Sequence, residues 1–328
     1  MKSILRGLFL LWLLALLVAV ARFIILVCRG RERRRQNEES TQDWKRRGGC
    51  LPIPDDVYRR PDPCIYSQYY LMSQGFAVTW NNPDIWLQQN QITVPSTSLE
   101  PDTVYELVAR VWNNSIEAPA VGLPVHFSYI DFGIGGAPNL IGVKRVDLTV
   151  KGANGHPAYA RIPWKTPATP GHYCILVHLI WPDDANPFNN LGQENTDVKP
   201  LNSPHALVEI PVRNDGRAAR TLRLEADFYE RPAAVPCPEQ PARQPALSRE
   251  EIAVNRRAAL ARHGREHFGV PAEWRVEVQP GQLRLGPGEE GNVAVDITAP
   301  DGFAGRQAIN INAFDRDRLA GGVTVYVE

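Results

Sequence analysis

The chain has 328 residues, enough for one to three domains, and its 36 basic and 36 acidic side chains give a formal net charge of zero. This balance excludes a global electric field that would attract nucleic acid, and the aromatic and basic residues are not interleaved as they are in single-strand binders. The 25 glycines and 28 prolines favour many short strands over long helices.

Residues 8–28 form an apolar run of the length that crosses a lipid bilayer. At ~1.5 Å per residue, about 20 helical residues span the hydrocarbon core. Arg22 is the only charge and lies near the C-terminal end, where a long side chain can reach the interface. Signal-peptide cleavage after Ala21 would leave the apolar residues 23–27 exposed. The sequence therefore predicts an uncleaved transmembrane helix within residues 1–28.

An arginine cluster follows the apolar run. Under the positive-inside rule it places the large C-terminal part in the cytoplasm. The same side chains are candidates for contacts with anionic lipid head groups. The family resemblance described below favours the opposite, periplasmic side slightly, so the side of the membrane remains open. The cluster consists of Arg29, Arg31, Arg33, Arg34 and Arg35.

Residues 29–83 read as a connector that is charged at first and aromatic later. The simplest interpretation is that its aromatic side chains pack onto the first folded domain, and the alternative is a surface for a partner. Two of the five cysteines, Cys50 and Cys64, flank one proline-rich stretch of it. They are the first pair to test for a disulfide, with free thiols as the alternative.

From Asp84 onward, apolar and polar residues alternate, which is the pattern of half-buried strands. The run 173–181 is apolar on both faces and predicts a strand in the middle of a sheet. A polar loop rich in Asp, Asn and Gln follows and closes this region at Glu194-Asn195. Short strands separated by Gly, Pro and Asn are typical of a β-sandwich.

Residues 84–198 resemble the CARDB domain, a bacterial, cell-adhesion-related module with an immunoglobulin-like sandwich. An insertion at 131–142 lengthens one loop relative to the family pattern. Because no motif of that family is catalytic, the resemblance implies binding or spacing rather than chemistry. The residues that carry it are 84–85, 109–113 (ARVWN), 118–125, 164–167 (WKTP), 170–173 (PGHY) and 194–195.

A linker at 199–204 precedes a second region of alternating residues, 205–328. Its segments 274–276, 283–289 and 293–300 resemble the NEW3-like, glycosidase-associated family of immunoglobulin-like modules, which again implies no catalysis.

An insertion at 231–272 interrupts this second region with a proline-rich stretch and then a helix. The helix is predicted from a capping box at Ser248–Glu251 to His263, with Gly264 as its stop. It is either a solvated helix lying on the sandwich or a docking helix for a partner or a membrane surface.

One loop collects hard oxygen ligands of the kind that calcium prefers. The spacing of an EF-hand is absent and Asp and Asn are ordinary turn formers, so turn chemistry is the main interpretation and a calcium loop the alternative. No cofactor and no catalytic residue is assigned, since no histidine pair has convincing zinc spacing and no serine lies in a nucleophile elbow. The calcium candidates are Asp183, Asp184, Asn186, Asn189 and Glu194.

The sequence thus predicts an all-β protein: two tandem immunoglobulin-like β-sandwiches on a single-pass helix, with a short helical insertion in the second sandwich. The expected function is non-enzymatic, that of a membrane-anchored interaction or scaffold protein that binds a protein partner or a surface. Two alternatives remain open, a structural accessory subunit of a larger membrane complex and a carbohydrate-binding surface module.

Overall fold

A computed structural model describes residues 60–131, 134–169, 171–198, 205–232 and 249–327. The predicted span, the arginine cluster and Cys50 lie outside these residues. Among the helices of the described segments, none has both the length and the apolar character needed to cross a membrane. The described residues are mainly strands in antiparallel sheets, as the sequence predicts for an all-β protein.

The first sandwich consists of two sheets. Its strands are β1 (Pro63–Cys64), β2 (Ile85–Gln89), β3 (Ile92–Val94), β4 (Val104–Asn113), β5 (Ala120–Asp131), β6 (Asn139–Leu148), β7 (Ala158–Lys165), β8 (Gly171–Leu179) and β9 (Leu191–Val198). In one sheet, β4 pairs with β2, β7 and the short β1, and β3 pairs with β2. The other sheet has the order β6-β5-β8-β9.

The alternation seen in the sequence corresponds to the inner faces of these two sheets. Leu107 and Val111 of β4 belong to the same buried cluster as Val125 and Phe127 of β5, and all four side chains are fully buried. Strand β8 pairs with β5 on one side and β9 on the other, which confirms the central position predicted for 173–181.

The polar segment after β8 differs from the sequence-based prediction. It was predicted as a loop closing the domain, yet its last part forms the edge strand β9. The polar side chains of this strand are buried because they bond to other parts of the chain. Gln193 Nε2, for example, donates to the carbonyl oxygen of Gly322 at 3.2 Å. A strand whose buried side chains are amides has no alternation of apolar residues, so the pattern missed it.

The second sandwich repeats the two-sheet arrangement. Its strands are β10 (His205–Arg213), β11 (Arg220–Asp227), β12 (Arg275–Gln279), β13 (Gln282–Leu285), β14 (Glu290–Thr298), β15 (Gln307–Asp315) and β16 (Arg318–Val327). The sheets have the orders β10-β14-β12 and β13-β11-β15-β16. Ile210 and Val295 from the first and Leu222 and Ile311 from the second share one buried cluster.

The aromatic segment at 60–84 joins the two sandwiches. It contains helix α1 (Gln68–Ser73), which starts at the N-cap Ser67. On the side of the first sandwich, Gln68 Nε2 donates to the carbonyl oxygen of Gln193 at 2.6 Å. We call residues 60–84 the joint segment. The expectation that its aromatic residues pack onto the first sandwich was incomplete, since they also pack onto the second.

Trp80 makes the contact with the second sandwich. Its indole Nε1 donates to Asn312 Oδ1 at 3.0 Å, and its backbone N–H donates to Thr324 Oγ1 at 2.9 Å. The ring lies so close to Gly322 that a Cβ there would come within 2.3 Å of Nε1. Only glycine fits at that position, and Phe314 and Leu319 complete the buried cluster around the ring.

The insertion at 131–142 forms a second connection between the sandwiches. Ile134 pairs with Val212 of β10 in a parallel bridge, with hydrogen bonds of 3.1 Å to the Pro211 carbonyl and 2.8 Å from the Arg213 N–H. The Ile134 side chain is part of the buried core of the second sandwich. What the sequence indicated as a lengthened loop therefore supplies a core residue to the neighbouring domain.

The insertion in the second sandwich contains helix α2 (Arg249–His263), and Gly264 follows it as predicted. The end of this helix meets the joint segment. Ala77 N–H donates to the His263 carbonyl at 2.9 Å, and Arg265 N–H donates to the Gly75 carbonyl at 3.1 Å. Most of the helix surface is exposed, which fits the solvated-helix interpretation.

Candidate interaction surface

The outer face of the β6-β5-β8-β9 sheet is half covered and half open. Near its covered end, Ile130, Cys174 and Gln193 point away from the sandwich core and are nevertheless buried. Gln193 is reached there by the joint segment and the second sandwich. The open end carries a mixed apolar and histidine surface. We call it the aliphatic face and define it as Pro124, His126, Leu140, Val143, His178 and Ile180.

The register of the strands places these residues on one surface. Leu123, Val125 and Phe127 of β5 point into the core, so the side chains between them point outward. Val143 of β6 and His178 of β8 lie on either side of His126 as its direct cross-strand partners. Residues that are opposite each other in neighbouring strands share a face, which makes the surface continuous across three strands.

Large apolar side chains on this face are open to solvent. Leu140 is 67% exposed, Val143 45% and Ile180 44%. Scattered apolar residues are normal on protein surfaces, but a contiguous group on one sheet face is a mark of an interaction site. Arg145 lies two residues beyond Val143 on β6, opposite Pro124, and its guanidinium donates to the Gly122 carbonyl at 2.9 Å.

The histidine pair at the centre of the aliphatic face was missed by the sequence analysis. Alternation along each strand indicates that His126 and His178 point outward, but register is a property of two strands and cannot be read from one. Burial and the nearby His126 lower the pKa of His178, so the imidazole is neutral at pH 7.

The outer face of the other sheet is aromatic. Trp86 and Tyr159 meet edge to face with ring centroids 6.1 Å apart, and Tyr159 is 47% exposed. The Arg110 guanidinium lies 4.9 Å from the centroid of the Trp112 ring. Asp84 orients both of these, since its Oδ1 accepts from Arg110 Nε at 2.8 Å and from Trp112 Nε1 at 3.0 Å. We call Trp86, Arg110, Trp112 and Tyr159 the aromatic face.

The calcium candidates do not converge on one point. Asp183 and Asp184 lie in the β8–β9 loop, where Arg60 donates to Asp183 Oδ1 at 3.1 Å and to the Asp184 carbonyl at 2.8 Å. Asn186 and Asn189 lie in the same loop, whereas Glu194 lies on β9 and accepts a hydrogen bond from the Asn82 N–H. Across the described segments, no three His, Cys, Asp or Glu side chains come together as a metal site would need. The calcium loop stays a prediction.

Hydrogen bonds within the chain hold the carboxylates of this loop. Asp184 Oδ1 accepts from the Asn186 N–H at 2.8 Å, and Asn189 Nδ2 donates to Asp62 Oδ1 at 3.0 Å. Burial raises the pKa of Asp184 to about 6 and also raises that of Asp62. The Asn and Arg groups that donate hydrogen bonds to this loop and to Asp62 belong to the chain itself. They hold the loop against the joint segment.

Within the described residues, Cys64 forms no disulfide. The Cys64 sulfur accepts a hydrogen bond from Asn114 Nδ2 at 3.2 Å. Burial, with Asp62 and Asp84 close by, raises the pKa of the Cys64 thiol well above its usual value. Its proposed disulfide partner Cys50 lies outside the described residues, so the pairing stays a prediction.

A further buried carboxylate belongs to the contact between the joint segment and the second sandwich. Asp227 accepts hydrogen bonds from Asn310 Nδ2 at 2.7 Å, from Asn312 Nδ2 at 2.6 Å and from the Tyr229 N–H at 3.1 Å. Burial raises its pKa to about 6. Since Asn312 also receives the Trp80 indole N–H, this network aligns the acceptor for Trp80.

A cavity of about 320 Å³ lies where the joint segment meets α2. Tyr66, Phe76, Tyr229 and His263 are among its lining residues. Tyr229 is only 6% exposed, and its ring packs edge to face on Phe268 with centroids 4.8 Å apart. The Tyr229 ring is thus used for internal packing.

No protein-family model and no curated protein matches the chain. Solved structures similar to part of it include a cycloisomaltooligosaccharide glucanotransferase from Paenibacillus sp. (14% identity, TM-score 0.25, 36% of this chain and 14% of that chain) and a β-glucosidase from Listeria innocua (10%, 0.22, 36% and 16%). An Escherichia coli alpha-2-macroglobulin is similar over 75% of this chain and 22% of its own, at 11% identity and a TM-score of 0.22. TM-scores of this size assign neither a family nor an activity.

Proposed function

We propose that the chain is a non-enzymatic interaction protein, anchored in a membrane by residues 8–28, that binds a protein partner through the aliphatic face. The observation that carries this proposal is the exposure of Leu140, Val143 and Ile180 on one continuous sheet surface. The polar groups between them, His126 and His178, suit a protein surface better than a lipid interior.

The positions of the perturbed carboxylates support a non-catalytic role. Catalytic sites place groups with shifted pKa values in accessible clefts. Asp62, Asp184 and Asp227 are instead buried and hydrogen-bonded where chain segments are fastened together. Their raised pKa values are thus explained by burial at structural contacts.

We infer further that both sandwiches are immunoglobulin-like modules, CARDB-like at 84–198 and NEW3-like at 205–328. The matching sheet orders support this inference. Each sandwich has one four-stranded sheet, with the orders β6-β5-β8-β9 and β13-β11-β15-β16. If the four strands of each sheet are numbered along the chain, both sheets have the same spatial order, 2-1-3-4. Modules of this kind commonly serve in binding, with contact surfaces on their sheets and loops.

The joint segment gives the proposed surface a fixed orientation. Gln68 bonds the joint segment to the first sandwich and Trp80 bonds it to the second, while Ile134 of the first sandwich packs into the core of the second. A scaffold needs this rigidity because a partner held on a hinged module would keep its own orientational freedom.

The proposal is tested by recovering partners with the full-length protein from detergent-solubilised membranes of its source cells. Leu140→Asp and Val143→Asp place a charge on the aliphatic face, and Ile92→Asp is the matched control on β3, at a side chain that is 70% exposed. We expect a protein that co-purifies in stoichiometric amount with the wild type and with Ile92→Asp, and is lost with the two face variants. Equal recovery with all four proteins would reject the aliphatic face as the binding surface.

An accessory subunit of a larger membrane complex is the main alternative, with contacts made by the span rather than by the sandwiches. Replacing residues 8–28 by an unrelated transmembrane helix separates the two ideas. The interaction protein keeps its partner after this exchange, whereas a subunit held by its span loses it.

Carbohydrate binding is a second candidate, favoured by the aromatic face. Exposed aromatic rings present the apolar surface that sugar rings stack on. If this function is correct, a polysaccharide gel retards the wild type and Trp86→Ala abolishes the retardation. Normal migration in a panel of polysaccharides removes the support for this candidate.

From the family resemblance we propose that the folded domains lie on the extracytoplasmic side of the membrane. The arginine cluster indicates the cytoplasmic side instead. Reporter fusions after Glu328 decide between the two, with an exported-enzyme reporter active in the first case and a cytoplasmic reporter in the second.

A further inference from the structure

The two histidines of the aliphatic face lie on neighbouring strands at the same level. His126 of β5 and His178 of β8 are direct Cα partners in an antiparallel ladder. Both point away from the core, because Val125, Phe127 and Val177 on either side of them are buried inside the sandwich. Side chains in such positions have Cβ atoms about 4.5–5.5 Å apart.

This spacing suits two imidazoles that share one metal ion. A zinc ion lies about 2.0–2.1 Å from each ligating nitrogen, so two ligand nitrogens are held within about 4 Å of each other. Imidazole rings on adjacent strands can reach such positions by rotation of their side chains. The strands themselves supply the rigidity, since both are central in a four-stranded sheet.

The surroundings of the two rings on this face are mostly apolar. The cross-strand neighbours of the pair are apolar, Val143 beside His126 and Leu191 beside His178. The nearest charged position along β6 on this face is Arg145, whose guanidinium is directed to the Gly122 carbonyl.

We propose that His126 and His178 together bind one divalent transition-metal ion of the class that prefers imidazole ligands, Cu²⁺, Ni²⁺ or Zn²⁺. The chain supplies two ligands, and water fills the positions that face solvent. The site goes beyond the proposed protein-binding function and does not depend on it, because both proposed ligands belong to this chain.

Metal titrations of the full-length protein in mild detergent test the proposal, with Zn²⁺ alone as the ligand. The chain carries other histidines and cysteines, so the informative quantity is the change in apparent Kd between variants. We expect His126→Ala and His178→Ala each to weaken the tightest Zn²⁺ site at least about tenfold, because two-ligand chelation is lost in either case. The double variant should be no weaker than the single ones.

The matched control is His267→Ala, which removes an exposed histidine outside the sheets. It should leave the apparent Kd unchanged. Equal affinities for the wild type and both single variants would overturn the proposal, as would small losses that add up in the double variant. Circular dichroism melts accompany each titration, and His126→Asn and His178→Asn replace any alanine variant that melts early.

A spectroscopic measurement distinguishes chelation from a general effect on the surface. With one equivalent of Cu²⁺, the electron paramagnetic resonance spectrum of the wild type should show hyperfine structure from two imidazole nitrogens. His178→Ala should reduce this to one. An unchanged spectrum would contradict the proposal even if the affinity had fallen.

Discussion

Replacing Trp80 with alanine removes the main contact between the joint segment and the second sandwich. Truncating a fully buried tryptophan costs about 3–5 kcal/mol. The change also leaves Asn312 Oδ1 without its indole donor in a buried site, which adds about 1–3 kcal/mol. The sum, about 4–8 kcal/mol, is a large part of the about 5–15 kcal/mol by which domains are usually stable.

The expected result is a loss of cooperativity as well as of stability. Urea unfolding of the wild type, followed by circular dichroism, should show one transition for the two sandwiches. In Trp80→Ala the second sandwich should unfold separately and at lower urea, because its largest contact with the rest of the chain is gone. Trp80→Phe keeps an aromatic ring but loses the N–H and part of the indole volume, so it should cost less than Trp80→Ala, with about 1–3 kcal/mol of that cost from the lost hydrogen bond.

Trp86→Ala is the matched control for this experiment. Trp86 is half-buried on the aromatic face and, among the described residues, donates no hydrogen bond to the second sandwich, so its truncation should keep the single transition. The reasoning is refuted if Trp80→Ala and Trp86→Ala have the same midpoint, or if Trp80→Ala still unfolds in one step with wild-type stability.

Two further changes test the buried contacts. The folded-state pKa of Asp227 is about 6 against a usual 3.8, so its stabilising protonated form is present below about pH 4 and is lost as pH rises through 6. At about 1.4 kcal/mol per pH unit, the wild type should lose about 3 kcal/mol of its free energy of unfolding over this window, whereas Asp227→Asn should not. The prediction is wrong if the urea midpoints of the two proteins change in parallel between pH 4 and pH 7. Ile134→Ala should lower the free energy of unfolding by about 2–5 kcal/mol, because Ile134 lies in the core of the second sandwich although it belongs to the first in sequence. The surface control Ile92→Ala should lower it by less than about 0.5 kcal/mol. Equal midpoints for these two variants would show that Ile134 is not part of the second core.

The alternation of apolar and polar residues predicted the strands because each strand buries one face. Which residues form that face can be read from the few residues of the strand itself. The run at 173–181 was predicted as a central strand, and β8 occupies that place. Helix α2 was likewise predicted from its stop signal at Gly264. These elements depend on neighbours within a few residues, which is the range that alternation and capping report.

The contacts that the sequence could not predict join residues far apart in the chain. Trp80 and Asn312 are 232 positions apart, and no local pattern marks them as partners. Strand β9 was missed because Gln193 and Asn195 are buried by hydrogen bonds rather than by apolar packing. The histidine pair was missed for a related reason, since register is set by pairing across strands.

The most direct measurement of the proposed function is site-specific photo-cross-linking in living source cells. A photoreactive phenylalanine replaces Leu140 on the aliphatic face or, as the control, Ile92, which is similarly exposed. We predict that position 140 yields one discrete cross-linked product and position 92 yields none, and that Val143→Asp abolishes the product. The same product from both positions, or its persistence in Val143→Asp, would contradict a partner bound on the aliphatic face.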